Sequence, residues 1–364
     1  MSEPGLDLAG DRDRLAALAD LAQTRLGYQD HLVSVGPTTV RLRLIGERLV
    51  DRLLPAFAQL DPEPSSDQAR PPRPTVVAWD MTEVGQVLPA LDLLPRPDDE
   101  PRSTYVDGDR GDTIEAWFQP LESTISLYDH ASSFGYYCVR SSASLPPWES
   151  AAPLRALMRW ALADQDLHLV HAAAVGDHRG ALLLAARGGS GKSTSTALCA
   201  AAGMLTTGDD YVVLSPSGPG GSCPTVHSLY RTLKVNSSML EARFPTLPSR
   251  AAGHGKRSVW IDELAPRSQV PTMEVAAIVV PSVAESALTS AFQPASAAVA
   301  IRGLGPSTVL QLPGRADRAL AAMAHLAHRV PVFTGQLGRD LDRVAGDLEA
   351  LLGRAVAESA GMAP

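Results

Sequence analysis

The chain has few cysteines, and it has no long hydrophobic run. Its cysteines, Cys138, Cys199 and Cys223, are widely spaced and form no Cys-x-x-Cys pair, which argues against a disulfide framework and against a zinc site. No apolar run approaches the roughly 18 residues that span a bilayer. The acidic N-terminus MSEPGLDLAGDRDR lacks the features of a signal peptide. These absences predict a cytoplasmic, bacterial protein that has no membrane partner.

Positive charge is scarce, and lysine is rarer still. The net charge is −8, which argues against nonspecific binding to nucleic acid or to anionic membranes. Of the 32 basic residues only Lys192, Lys234 and Lys256 are lysines, and all lie within 192–256. Arginine serves as the general surface cation elsewhere. The retained lysines are therefore candidates for roles that need a compact ammonium, with chance clustering as the alternative.

The first part of the chain, 1–150, is predicted to be a mixed α+β module. Periodicity predicts a helix at 12–25, a hairpin formed by HLVSV and TTVRLRLI, and a second helix at about 46–60. A proline-rich loop at 61–74 precedes the strand-like stretches TVVAWD, TIEAWF, TISLYDH and GYYCVRS. No pattern in this module indicates chemistry.

The second part, 151–364, is predicted to be an α/β domain. LHLVHAAAV and ALLLAA are short and almost continuously apolar, as expected of strands covered on both faces. A helix is predicted at 192–202, further strands at YVVLSP, SVWIDEL and EVAAIVVPSV, and amphipathic helices at 314–328 and 338–355. This alternation favours a sheet with helices on its faces.

A glycine-rich turn between the strand ALLLAA and the following helix carries the strongest functional signal. The stretch AARGGSGKST fits [AG]xxxxGK[ST], with Ala186 in the first position. Backbone N–H groups converge on an anion where such a loop opens a helix. Lys192 can reach the β- and γ-phosphates of ATP, and the Ser193 hydroxyl can ligate Mg²⁺. The residues predicted to hold the nucleotide here are Gly188, Gly189, Ser190, Gly191, Lys192, Ser193 and Thr194.

Two aspartates follow that helix in the stretch TTGDDYVVL. Asp209 and Asp210 are placed to return to the loop end of a neighbouring strand. Two adjacent carboxylates push their pKa values apart, so one can support Mg²⁺ while the other acts as a base. Adjacent residues on a strand point to opposite sides, which favours Asp210 as the base and Asp209 as metal support. The reverse assignment of the two roles stays open. A polar turn is the alternative interpretation.

Three further residues are predicted to join this site. His171 lies in an apolar strand that leads into the phosphate-loop strand, although a buried core histidine is the alternative. A transferring phosphoryl group also attracts cations from outside the loop. Arg231 in LYRTLKVN is favoured over Lys234 for this role, and Lys256 lies in the glycine-flanked stretch GHGKRSVW, expected to be a loop. Solvated surface cations are the alternative.

The segment 168–214 resembles the bacterial HPr kinase/phosphorylase family, specifically its serine-kinase-like relatives. The matching features are HAAAVG, the phosphate loop and the DDYVVL aspartates. The resemblance implies a P-loop core of the type shared with ATP-dependent phosphoenolpyruvate carboxykinase. It also implies ATP, Mg²⁺ and phosphorylation of a hydroxyl group, with Asp209 and Asp210 supplying the base and metal support and His171 assisting them.

Two function classes remain open at this point. The first is a kinase that phosphorylates a hydroxyl on a small molecule or a peptide, including precursor peptides of natural-product pathways. The second is a nucleotide-binding regulatory protein with little catalysis. A carboxykinase is disfavoured because nothing marks an oxaloacetate site. Paired carboxylates favour the kinase because a nucleotide sensor does not need them. The sequence leaves the oligomeric state and the phosphate acceptor undecided.

Overall fold

The computed structural model shows a mixed α/β protein whose contacts divide it into two compact units. The first unit comprises Met1–Gln165 with Leu312–Gly314, and the second comprises Asp166–Gln311 with Arg315–Pro364. The first unit therefore extends beyond residue 150. The residues that the structure describes are 7–62, 74–87, 91, 104–107, 113–121, 123–217, 223–253 and 255–361.

The first unit is built on one mixed sheet with the strand order β3-β1-β2-β4-β8-β7-β6-β5. The predicted hairpin is confirmed as β1 and β2, and its alternation buries Val40, Leu42 and Leu44 on one face. The strand β4 pairs in parallel with β2 and β8. The strands are β1 (Tyr28–Val35), β2 (Thr38–Ile45), β3 (Leu60–Pro62), β4 (Thr75–Asp80), β5 (Thr104–Asp107), β6 (Ile114–Gln119), β7 (Thr124–Asp129) and β8 (Phe134–Val139).

The helices of the first unit are mostly short. The predicted helix at 46–60 is wrong: only four residues are α-helical, and a 3₁₀ turn follows at Leu54–Ala56. Pro55 lacks the amide hydrogen that a continuing helix would need, and the chain is extended again at Phe57. The α-helices are α1 (Leu8–Leu26), α2 (Val50–Leu53), α3 (Met81–Val84), α4 (Pro147–Ala151) and α5 (Arg155–Ala163).

The second unit contains a nine-stranded mixed sheet and a separate three-stranded sheet. The large sheet consists of β9 (His168–Val170), β10 (Ala173–Asp177), β11 (Gly180–Leu184), β12 (Leu205–Gly208), β13 (Val212–Ser215), β14 (Thr225–His227), β18 (Thr272–Val283), β19 (Ala291–Pro294) and β20 (Val332–Leu337). The small sheet consists of β15 (Thr232–Asn236), β16 (Arg250–Gly253) and β17 (Lys256–Trp260). In the large sheet, β11 and β20 flank β18 in parallel, and β10 forms an antiparallel hairpin with β11.

Helices cover both faces of the large sheet, which explains its apolar strands. One core packs the sheet against α9 and α10, and the other packs it against α6 and α11. The helices are α6 (Lys192–Ala201), α7 (Ser237–Arg243), α8 (Ile261–Leu264), α9 (Ala297–Gln311), α10 (Ala316–Arg329) and α11 (Leu341–Gly361).

The three helices predicted for this unit are confirmed, whereas several other elements differ from the predictions. The helices α6, α10 and α11 match their predicted positions closely. The helix α9 was not predicted, because its mostly apolar sequence contains two glycines and Pro306 and lacks an amphipathic pattern. The stretch LHLVHAAAV forms two strands, interrupted at His171. The stretch SVWIDEL leaves the strand after Trp260 and turns into α8. In the described part of the chain, no helix is both long and apolar enough to cross a bilayer.

Candidate active site

The glycine-rich loop connects β11 to α6 and is shaped by two left-handed glycines. Gly189 and Gly191 have φ angles of +83° and +92°, a region that side chains with a Cβ disfavour. A Cβ on Gly191 would also lie 2.8 Å from Cδ1 of Leu337. The backbone conformation therefore favours glycine at position 191, and any larger residue would also make the end of the Leu337 side chain shift.

Lys192 begins α6 and folds back over its own loop. Its Nζ donates to the carbonyl oxygen of Ala186 and to that of Arg187, the latter at 3.3 Å. The side chain is buried, and burial lowers its pKa, whereas Asp209 and Asp210 oppose this shift. The ammonium thus contacts its own loop and lies within electrostatic range of the two carboxylates. Ser193 and Thr194 follow it, half-buried in the first turn of α6.

Asp209 and Asp210 lie in a turn after β12 rather than along a strand. The expected strand geometry for this pair is therefore wrong. Asp210 adopts a left-handed conformation with φ +67°, and this turn gives the two side chains different surroundings. The Asp209 residue is 1% exposed, whereas the Asp210 side chain is 22% exposed. The pair consists of one enclosed carboxylate and one that reaches the surface.

Asp210 is held by two basic side chains. Its Oδ1 lies 3.0 Å from Nε2 of His171, and its Oδ2 accepts a hydrogen bond from Nζ of Lys234 at 2.8 Å. Burial by itself would raise the pKa of Asp210, but Lys234 and His171 hold it well below its usual range. Asp210 is therefore ionised throughout the physiological range.

Asp209 is in the opposite situation. Burial and the neighbouring charge of Asp210 raise the pKa of Asp209. The hydrogen bonds from the Ser193 hydroxyl and the Lys234 amide lower this pKa, but by less. The amide of Lys234 donates to Oδ2 at 3.2 Å, while Oδ1 is buried and has no hydrogen-bond partner among the described residues. An enclosed carboxylate with an open oxygen, beside a serine hydroxyl, fits Mg²⁺.

Magnesium commonly takes one or two protein ligands together with substrate phosphates. Within the described ranges, no group of three or more His, Cys, Asp or Glu residues could hold a metal ion. The assignment of Ser193 and Asp209 as Mg²⁺ ligands stays a prediction of the sequence.

His171 lies between β9 and β10 and belongs to neither strand. Its amide donates to Oγ1 of Thr308 at 3.0 Å, and its ring meets that of Tyr211 edge-on with centroids 5.5 Å apart. The Tyr211 hydroxyl in turn hydrogen-bonds Oε1 of Gln311 at 3.0 Å. Thr308 and Gln311, both on α9, were missed by the sequence analysis, and no local pattern pointed to them.

The basic residues of the small sheet are arranged differently from the expectation. Lys234 on β15 contacts Asp210, whereas Arg231 hydrogen-bonds Asp262 at 3.1 Å and lies over the ring of Trp260 at 3.9 Å. Lys256 is exposed at the start of β17, and its charge lowers the pKa of Lys192. Lys234 is therefore the one of the two that contacts the aspartate pair, and the prediction that Arg231 faces the phosphates stays a prediction.

The stretch GHGKRSVW at 253–260 was expected to be a loop. That prediction is wrong for Lys256 and Arg257, which lie in the strand β17, paired with both β15 and β16. The predicted strand SVWIDEL is confirmed over 258–260. The turn leading into β17 uses Gly253 and Gly255, with φ angles of +78° and +70°. These glycines serve a hairpin turn.

Comparisons with known proteins add little to this geometry. No protein-family model matches the chain, and no curated protein matches it. Among solved structures, the chain is similar to the Hpr(Ser) kinase/phosphatase from Coxiella burnetii with 13% identity and a TM-score of 0.28. That similarity covers 52% of this chain and 99% of the other. A TM-score this low supports no assignment of function.

Proposed function

We propose that this protein is an ATP-dependent kinase that transfers the γ-phosphoryl group of ATP to a hydroxyl group of a small molecule or a peptide. The observation that carries the proposal is the asymmetry of the aspartates. An ionised, partly exposed Asp210 and an enclosed Asp209 with a raised pKa lie beside Lys192 of the glycine-rich loop. Protein kinases use one carboxylate to accept the proton of the acceptor hydroxyl and another to hold Mg²⁺.

Asp210 is the group proposed to receive the acceptor's proton. The acceptor hydroxyl hydrogen-bonds to the carboxylate, its oxygen attacks the γ-phosphorus, and the bond to the β,γ-bridging oxygen breaks to release ADP. The proton passes to Asp210 as the new bond forms. A low pKa keeps this carboxylate ionised and ready to accept. His171 and Lys234 are positioning residues, because they orient its two oxygens.

Asp209 and Ser193 are proposed to hold Mg²⁺. The metal would neutralise charge on the β- and γ-phosphates, and the open Oδ1 of Asp209 is suited to it. A nearby cation would also favour the ionised form of Asp209, which burial and Asp210 disfavour in its absence. Lys192 is proposed to leave its loop carbonyls and bind the phosphates.

The proposal is tested by ATP turnover with pooled hydroxyl-bearing acceptors. Purified protein is incubated with Mg²⁺ and γ-labelled ATP against serine-containing peptides and small alcohols, and both ADP release and labelled product are measured. We expect labelled phosphomonoester from wild-type protein and none from Asp210→Asn protein. Asp262→Asn is the control, because Asp262 pairs with Arg231 outside the aspartate pair.

A nucleotide-binding regulatory protein is the competing outcome of the same experiment. It would bind ATP and Mg²⁺ in a calorimetric titration but would release no ADP with any acceptor pool. A protein that does not bind ATP at all would contradict both interpretations.

A further inference from the structure

A surface cavity of about 480 Å³ lies beside the first half of the phosphate loop. Its walls are the loop residues 186–190, the end of β18 at 280–283, and Val299, Arg302 and Gly303 of α9. The residues that line it do not include the two aspartates or the second half of the loop, where Lys192 and Ser193 lie. The cavity is therefore separate from the side of the loop proposed for phosphoryl transfer.

The charge of this cavity is of one sign. Arg187 and Arg302 line it, and no carboxylate is among its described lining residues. Both arginines are exposed, and in the described part of the chain neither side chain has an ion pair or a hydrogen bond. The Ser190 hydroxyl, also at the wall, is buried without a hydrogen-bond partner among those residues. Two unpaired guanidinium groups beside an apolar wall suit a ligand that combines anionic and apolar parts.

The position of Arg302 is set by close packing of α9 on the sheet. A Cβ on Gly303 would lie 2.6 Å from the carbonyl oxygen of Ala185 and 3.1 Å from Cγ2 of Val280. The absence of a side chain at Gly303 thus lets the helix backbone press against the ends of β11 and β18. Arg302, the preceding residue, is held at the cavity edge by this contact rather than on a mobile loop.

We propose that this cavity binds the nucleoside half of ATP. Val280, Val283 and Val299 contact the base, the Arg302 guanidinium packs on the face of the base, and Arg187 binds the α-phosphate. The triphosphate then runs along the loop towards Lys192 and the aspartates. The volume is within the range of small-molecule sites. This inference depends on the proposed function, because it assigns the second part of the same nucleotide.

The test compares ligands with and without a nucleoside. Dissociation constants for Mg²⁺-ATP and Mg²⁺-tripolyphosphate are measured by calorimetry. We expect Arg302→Ala to weaken ATP binding about tenfold, as loss of a charged contact does, and to leave tripolyphosphate binding unchanged. Arg187→Ala should weaken both ligands. Arg329→Ala is the control and should change neither, because Arg329 is exposed and lines a different cavity.

A second variant fills the cavity without removing charge. We expect Val299→Trp to abolish ATP binding while tripolyphosphate binding persists, which also shows that the loop remains folded. Unchanged ATP affinity in Arg302→Ala would overturn the proposal, as would an equal loss of ATP and tripolyphosphate. A wild-type protein that binds neither ligand would instead contradict the proposed kinase function.

Discussion

Nζ of Lys234 lies 2.8 Å from Oδ2 of Asp210, while the backbone amide of the same lysine donates to Oδ2 of Asp209. One residue of β15 therefore contacts both carboxylates of the pair. Its side chain stabilises the ionised form of Asp210, and its amide holds Asp209 in place. This relationship makes Lys234 the most informative position in the small sheet.

We expect Lys234→Met to reduce the rate of phosphoryl transfer by roughly 100-fold, the scale of a lost general-base contribution. Without the ammonium the pKa of Asp210 rises, so the acidic limb of the pH–rate profile moves to higher pH. The measurement is kcat against pH with a fixed acceptor.

Arg231→Ala is the matched control for Lys234→Met. Arg231 contacts Asp262 and Trp260 instead of Asp209 and Asp210. We therefore expect kcat to fall by less than about threefold, the scale of an exposed ion pair. A larger loss from Arg231→Ala than from Lys234→Met would reverse the assignment.

Asp209→Asn and Asp210→Asn should each lower turnover by roughly 100-fold or more. They should differ in their dependence on Mg²⁺, because only Asp209 is proposed as metal support. Raising the Mg²⁺ concentration should partly restore Asp209→Asn and leave Asp210→Asn unchanged. Near-normal rates in both variants would show that the pair is structural.

The same two variants should have opposite effects on stability as the pH changes. The pKa of Asp210 is lowered in the folded protein, so its contribution is present above its unfolded pKa of about 4 and is lost as the pH falls through the folded pKa. We expect Asp210→Asn to be less stable than wild type at pH 7, with the difference closing at acidic pH.

For Asp209 the sign is reversed, because its folded pKa is raised. Wild-type protein loses stability as the pH rises through the folded pKa of Asp209. Asp209→Asn protein should therefore become more stable relative to wild type at higher pH. Urea unfolding without nucleotide, from about pH 2 to pH 8, measures both differences, because the Asp210 difference closes below its unfolded pKa of about 4. Parallel curves for the two variants would contradict the opposite shifts.

Lys192→Ala should abolish ATP turnover while the fold is retained. The ammonium is needed to neutralise phosphate charge. Within the described part of the chain, its hydrogen bonds go to the carbonyl oxygens of Ala186 and Arg187 in its own loop. Circular dichroism and ADP release are the two measurements. Normal turnover in a folded Lys192→Ala protein would refute the assignment of the loop.

Two helical glycines should respond in opposite directions to substitution by alanine. Gly346 on α11 is exposed, and a Cβ there meets nothing within 4 Å, so Gly346→Ala should raise the free energy of unfolding by about 1 kcal/mol. Gly303→Ala should lower it by about 1–3 kcal/mol, because of the close contact with Ala185. Chemical denaturation measures both changes, and a neutral Gly303→Ala would show that α9 can shift away from β11.

The sequence by itself predicted the glycine-rich loop and the strand and helix on either side of it. That information is contained in 181–202, where an apolar strand, left-handed glycines and a helix start follow one another along the chain. Such a loop can be predicted from the sequence because the strand, the glycines and the helix start are consecutive along the chain. The aspartate pair was also identified, from its distance along the chain to Lys192.

Only the tertiary structure decided what surrounds the aspartates. Lys234 on β15 contacts Asp210, whereas Arg231, the residue before β15, lies over the ring of Trp260. The hydrogen bond between the His171 amide and Thr308 joins two positions that are 137 residues apart. Thr308 lies on α9, a helix that the sequence did not predict. The opposite pKa shifts of Asp209 and Asp210 arise from burial and from partners brought in by other elements. A one-dimensional pattern carries no information about such contacts, because they depend on how the sheets and helices pack.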